Sequence, residues 1–302
     1  MVDATGIRRL SRRRFRQLVA FTTVLLTAIV ATGAAVRLTG SGLGCDDWPG
    51  CTETHPVPKW EFHSWVEFGN RLLSAASGIP TLALLIGAHR LERPSTVLRK
   101  GSWWILALVV TQVIVGKFVV ELELAPLSVA VHYLLSVAIL WIGVWLWFRA
   151  DDETTRPAPA ATIRRRSQLT VSLGLLTLVV GTLVTGTGPH AGDPEAVRLG
   201  LDLQWVVRAH SASAWLLVAS VVWLTIGLGP NSRSSALLGV IAAQGAVGYL
   251  QYALGLPAGL VEVHVIGSVA VFAAVLAHHY SLVGTADDPA PSAPSVKVLE
   301  TA

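Results

Sequence analysis

Eight stretches of roughly twenty mostly apolar residues run through this chain, each long enough to cross a bilayer core as a helix. They fall near 18–36, 65–88, 103–120, 126–147, 169–186, 204–228, 235–254 and 258–282. In hydrocarbon a segment must satisfy its own backbone polar groups, and a helix does so internally. The composition agrees, with 52% hydrophobic and 14% charged residues. An all-α integral membrane protein with eight transmembrane helices is therefore expected. The first run is not read as a cleavable signal, because it is long and no small-residue cleavage site follows it.

The basic residues orient these crossings. An even number of spans returns both termini to one side, with the connections at 89–102, 148–168 and 229–234. That side holds 17 of the 23 Lys and Arg residues: six arginines between Arg8 and Arg16, four basic residues between Arg90 and Lys100, five between Arg149 and Arg166, then Arg233 and Lys297. Positive charge concentrates on the cytoplasmic side. Both termini are thus expected in the cytoplasm of a multi-pass cell-membrane protein, with the 37–64 loop outside. Topology accounts for the net charge of +4, and no nucleic-acid partner is expected, since no base-reading residues accompany the basic clusters.

Both cysteines lie in that outer loop, in the run Cys45-Asp-Asp-Trp-Pro-Gly-Cys51. A disulfide, two separate thiols and, with His55 and His63, a zinc site are all open. An oxidising exterior and the Pro49-Gly50 turn favour the disulfide.

A spaced pattern then repeats 132 residues apart. Gln112, Gly116, His132, Ser136, Val137 and Ala138 return as Gln244, Gly248, His264, Ser268, Val269 and Ala270. Trp65 and Asn70 likewise parallel Trp205 and His210, and Thr39-Gly-Ser-Gly42 parallels Thr185-Gly-Thr-Gly188. The repeat predicts two pseudo-symmetric four-helix bundles from one duplicated unit. The expected division is a basic cytoplasmic tail at 1–15, a first bundle at 16–150, a cytoplasmic linker at 151–168, a second bundle at 169–283 and a disordered cytoplasmic tail at 284–302.

Asn70, His132, His210 and His264 each sit about five to seven residues in from the outer end of an even-numbered run, roughly 8–10 Å deep. All four share one layer. Polar groups at such depth are costly and mark functional sites. Two imidazoles on facing bundle helices suit a six-coordinate haem, with His210 and His264 as axial ligands; zinc or copper would lack further ligands. Gly116 and Gly248 either admit a flat macrocycle or serve helix packing. Arg37, Arg71 and Arg208 lie at this level as partners for haem propionates, or snorkel to headgroups. Glu67 breaks the repeat, its counterpart being Val207. Glu67, Asn70 and Arg71 share a helix face, and Glu67 is either an ion-pair partner of Arg71 or a proton acceptor beside a substrate.

These residues resemble the haem A synthases. The resemblance runs from Val36-Arg-Leu-Thr-Gly-Ser-Gly-Leu-Gly-Cys45 and Asp47-Trp-Pro-Gly-Cys51 through Glu67-x-x-Asn-Arg71 and His132. It continues with Thr185-Gly-Thr-Gly-Pro-His-Ala-Gly-Asp193, His210 and His264, and spans residues 16–283. It implies an enzyme that oxidises the C8 methyl of haem O to a formyl group by successive hydroxylations, giving haem A for terminal oxidases. It further implies haem b on His210 and His264, substrate haem O on His132, a disulfide between Cys45 and Cys51, and a catalytic Glu67. One departure stands out: the family pattern has histidine where this chain has Asn70, which resembles an actinobacterial-like type. The substrate iron then binds His132 alone, or Asn70 hydrogen-bonds something held there. Expected partners are the lipid bilayer, haem O handed over by a haem O synthase, an electron acceptor or donor of unassigned identity, and further copies of the chain in a homo-oligomer.

A b-type membrane cytochrome without synthase activity would also explain paired histidines. Electron transfer across the membrane, however, needs ligands at the inner face, and every candidate lies in the outer layer. A transporter predicts helices broken in mid-span, whereas the even-numbered runs read as mostly continuous, with Pro80 a place for a kink in the second. The charge pattern makes a direct prediction. A reporter that is active only outside the cytoplasm should stay silent when fused after residue 283 and be active when inserted in the 37–64 loop. The reverse pattern would overturn the orientation.

Overall fold

The computed structural model of the chain describes residues 9–52, 54–151, 159–229 and 231–283. Its helices are α1 (Arg12–Leu38), α2 (Phe62–Ala76), α3 (Gly78–His89), α4 (Thr96–Glu121), α5 (Pro126–Arg149), α6 (Ala161–Thr187), α7 (Leu203–Leu228), α8 (Ser232–Ala253) and α9 (Ala258–Val283). With α2 and α3 sharing the span Phe62–His89, eight apolar helical segments among the described residues are long enough to cross a membrane. The tail expected at 284–302, residues 1–8 of the basic tail and 152–158 of the linker lie outside the described residues. The rest of the linker from Ala161 onward is already helix α6.

Most helices extend beyond the apolar runs, because their first turns are polar and capped. Ser95 accepts from Leu98 N–H at 3.3 Å, Asp202 from Trp205 N–H at 3.0 Å and Asn231 from Ser234 N–H at 2.9 Å. Such caps satisfy backbone donors that the helix leaves free. Pro126 opens α5, where its missing N–H costs nothing.

The second span runs as one helix over Phe62–His89, as expected, with a one-residue break at Ser77 that separates α2 from α3. Pro80 has no N–H to donate and its ring crowds the carbonyl four residues earlier; α2 ends at that residue, Ala76. Side chains take over part of the lost bonding. Ser77 Oγ donates to Ser74 O at 2.6 Å, Thr81 Oγ1 to Ser77 O at 2.9 Å, and Thr22 Oγ1 of α1 to Pro80 O at 3.3 Å.

Two apolar cores lie side by side. The first joins Phe15, Val19, Leu84, Leu98, Ile105, Ile139 and Leu146 from α1, α3, α4 and α5. The second joins residues of α5 to α9, among them Val137, Leu140, Leu178, Val221, Ile241 and Phe272. Helix α5 serves both, because Ile139 and Leu146 lie on one face and Val137 and Leu140 on another. Helices α1 and α5 meet α9, and α5 also meets α6, so these four form the joint between the halves. Large apolar residues such as Ile226 (74% exposed) and Ile79 (73%) face outward, as lipid contact requires.

At Gly143 the α1–α5 contact leaves no room for a side chain, since a Cβ there would lie 2.3 Å from Thr23 Oγ1 and 3.0 Å from Thr23 Cβ. Gly143→Val should cost about 1–3 kcal/mol by overpacking. The midpoint of thermal unfolding in detergent should fall by several degrees, and an unchanged midpoint would contradict this packing.

Candidate functional site

Each candidate histidine lies in the first third of its helix, with its ring laid against a glycine of the preceding helix. A Cβ at Gly116 of α4 would stand 3.4 Å from His132 Cε1, one at Gly181 of α6 3.2 Å from His210 Cε1, and one at Gly248 of α8 2.9 Å from His264 Cε1. The glycines therefore make room for imidazole rings. Gly181 was not singled out from the sequence, since it falls outside the repeated pattern.

The repeated glutamine has an equally definite use. Gln112 Nε2 donates to the His132 carbonyl at 3.1 Å and to Ser136 Oγ at 2.6 Å. Gln244 Nε2 donates to the His264 carbonyl at 2.8 Å and lies 3.0 Å from His264 Nδ1. In both halves an amide on one helix thus braces the backbone that carries the histidine. Buried polar groups need such partners. Gly267 admits the second brace, as a Cβ there would lie 2.0 Å from Gln244 Oε1.

His210 and His264 come together across the second core. Their ring centroids are 6.2 Å apart with the planes at 79°. Nδ1 of His210 is buried and without a hydrogen-bond partner among the described residues. Nδ1 of His132 is likewise buried and unpartnered.

The first half is built differently. Asn70 Oδ1 accepts from Thr32 Oγ1 of α1 at 2.7 Å, and no hydrogen bond joins Asn70 to His132 among the described residues. Glu67, only 4% exposed, is held at both oxygens: Oε1 accepts from Arg71 Nη2 at 2.6 Å and Oε2 from Cys45 N–H at 2.8 Å. Arg71 Nη1 donates in turn to the carbonyls of Asp47 at 2.6 Å and Gly50 at 2.5 Å. Glu67 and Arg71 therefore fasten the cysteine loop onto α2. Deleting either partner would strand a buried charge, a loss of about 3–5 kcal/mol.

Within that loop the Cys45 and Cys51 sulfurs are at bonding distance, 2.02 Å. His63 Nδ1 pairs with Ser41 Oγ at 2.9 Å. No group of three metal-ligating side chains occurs among the described residues. Gly44 passes so close to α2 that a Cβ would lie 2.5 Å from the His63 carbonyl oxygen.

The arginines divide. Arg71 is committed to the loop, and the exposed Arg208 stacks 5.0 Å from the Trp205 ring centroid. Arg37 Nη2 donates to the Thr185 carbonyl at 3.2 Å. Arg198, not among the sequence candidates, donates through Nη2 to the same carbonyl at 2.7 Å and to the Gly188 carbonyl. Burial lowers the Arg198 pKa from its ordinary value. A cavity of about 620 Å³ beside it is also lined by Thr187, Asp193, Leu203, Tyr252 and Leu256. One signal for Arg198 was available: it is a basic residue in a connection on the side where the charge pattern leaves few of them.

A last contact crosses between the halves at this level. Tyr133, next to His132, pairs through its hydroxyl with Ser268 Oγ at 2.9 Å. The repeated serine thus has two uses, Ser136 bonding the brace of its own half and Ser268 the opposite half.

Comparison with known proteins places this architecture. The family model described as cytochrome oxidase assembly protein (COX15-CtaA) matches residues 16–191. A Heme A synthase of Geobacillus thermodenitrificans is 33% identical over 133 residues, 44% of this chain and 42% of that protein. One from Geobacillus kaustophilus is 35% identical over 137 residues, again 42% of its length. The chain thus spans less than half of these two relatives. A Heme A synthase of Rhodopseudomonas palustris strain HaA2 is 27% identical over an alignment covering 91% of this chain and 93% of that protein. The chain belongs to the cytochrome oxidase assembly protein family.

Proposed function

We propose that this member of the family is a haem A synthase, oxidising the C8 methyl of haem O to a formyl group to give haem A for terminal oxidases. The observation that carries the proposal is an inequality between the halves. One presents two histidines to each other, and the other presents a single histidine, an amide and a buried carboxylate. The halves are read as pseudo-symmetric bundles of one duplicated unit, with both termini cytoplasmic and the Cys45–Cys51 disulfide loop outside.

In the second half His210 and His264 suit haem b. Their rings face each other with centroids 6.2 Å apart, and two neutral imidazoles are the donor set such a haem would take. The glycine seats leave the flanking backbone near both rings. When bound, this haem supplies one-electron transfer.

In the first half His132 holds the substrate iron of haem O. Asn70 is tied through its side-chain amide to Thr32 of α1. A neutral amide is a poor iron ligand beside imidazole, so His132 is taken as the sole protein ligand, with Asn70 hydrogen-bonding a group held in that site. Overall, a methyl group and one water give a formyl group, with four protons and four electrons released to an acceptor of unassigned identity. Glu67 is the proton acceptor, with Cys45 N–H fixing its orientation and Arg71 its charge. Beyond the bilayer, the partners required are a source of haem O, such as a haem O synthase, and the electron acceptor; a homo-oligomer is compatible with this site.

Point variants separate the two roles. His210→Ala and His264→Ala should each abolish the haem b absorption spectrum of the purified protein. His132→Ala and Glu67→Gln should retain that spectrum, and Glu67→Gln should convert haem O at least about 100-fold more slowly. A spectrum that survives His210→Ala would refute the ligand assignment, and undiminished haem O conversion by Glu67→Gln would confine that residue to holding the cysteine loop.

A further inference from the structure

Two arginines from different halves of the chain end on a single carbonyl. Arg37, at the end of α1, and Arg198, in the connection from α6 to α7, both donate to Thr185 O, at 3.2 and 2.7 Å. Their charges repel, and a carbonyl is a neutral acceptor that cannot offset two cations. Among the described residues neither arginine forms an ion pair. Asp193, in the wall of the adjoining cavity, accepts the Glu195 N–H at 2.8 Å instead.

Water does not fully compensate either. Neither side chain is fully exposed, and Gly192 packs onto Arg37, a Cβ there lying 3.5 Å from Arg37 Cγ. Neighbouring cations that are partly desolvated and lack a counter-ion are unfavourable. Such an arrangement calls for an anion.

Its position says which one. Thr185 follows Gly181 by four residues on α6, about 6 Å along the axis, and Gly181 touches the His210 ring. The cavity lined by Arg198 lies between the outer ends of α6, α7 and α8. The arginines therefore stand about one turn above the His210–His264 pair, on its outer side. Guanidinium groups bind carboxylates with paired, charge-assisted hydrogen bonds.

We propose that Arg37 and Arg198, one from each half, form a single site for the carboxylates of the haem held by His210 and His264. The inference rests on the haem reading of that histidine pair. It assigns propionate recognition to Arg37 together with Arg198 and withdraws it from Arg71, which holds the cysteine loop, and from Arg208, which stacks on Trp205. It also gives the bound haem a structural role, because neutralising the two arginines removes a repulsion across the joint between the halves.

The test is titration of the full-length haem-free protein with protohaem and with protohaem dimethyl ester, whose carboxylates are blocked, followed by visible absorption. The wild-type protein should bind the free acid at least about tenfold more tightly than the ester. Arg37→Gln and Arg198→Gln should each reduce that preference markedly, while Arg37→Lys and Arg198→Lys keep part of it and Arg208→Gln keeps it whole. An equal preference in wild type and both Gln variants would overturn the assignment, as would equal binding of the two haems by wild type. Failure of wild type to bind either haem would instead reject the histidine pair as a haem mount, and this inference with it.

Discussion

An imidazole inside a bilayer is costly unless its surroundings are built for it, and the rest of this site follows from how three of them are seated. Each of His132, His210 and His264 lies against a glycine on the preceding helix. For His132 and His264 a glutamine on that same helix binds the histidine's own carbonyl. Glycine brings the helices close, and the amide bond fixes the register at which they meet. Together they hold each ring in one layer of the molecule, a short way in from the start of its helix. The duplicated Gln–Gly–His spacing is the sequence trace of this device.

The halves then diverge around a shared frame. In the second, His210 completes a pair with His264. In the first, Asn70 turns its oxygen to Thr32, and Glu67 with Arg71 ties the cysteine loop to α2. A closed two-histidine site suits a resident haem that exchanges electrons. On the proposed reading, the site with one histidine, an amide and a buried carboxylate takes the haem that is altered. Tyr133 and Ser268 join the two histidine helices directly, and Arg37 and Arg198 meet on Thr185 at the same joint.

Much of this was legible in the sequence for physical reasons. The eight spans show because lipid demands long apolar runs, and the histidine layer shows because polar residues are rare within them. Helix ends were read short, since capped polar turns such as those after Ser95 and Asn231 carry no apolar signal. The second span reads as mostly continuous and is so, apart from the one-residue break at Ser77 that Pro80 marks. Gly181, Thr32 and Arg198 act through contacts with distant segments, and no spacing rule reaches across them. Glu67 was visible as an asymmetry, but the bond from Cys45 N–H that orients it depends on a loop path that spacing does not encode.

The central claim is that one half keeps a haem and the other alters one. It is tested most directly by extracting and identifying the haems of the purified protein after supply of haem O. The account predicts haem B together with haem A or its hydroxylated precursor. Haem B alone, with haem O recovered unchanged, would contradict it and leave a b-type cytochrome.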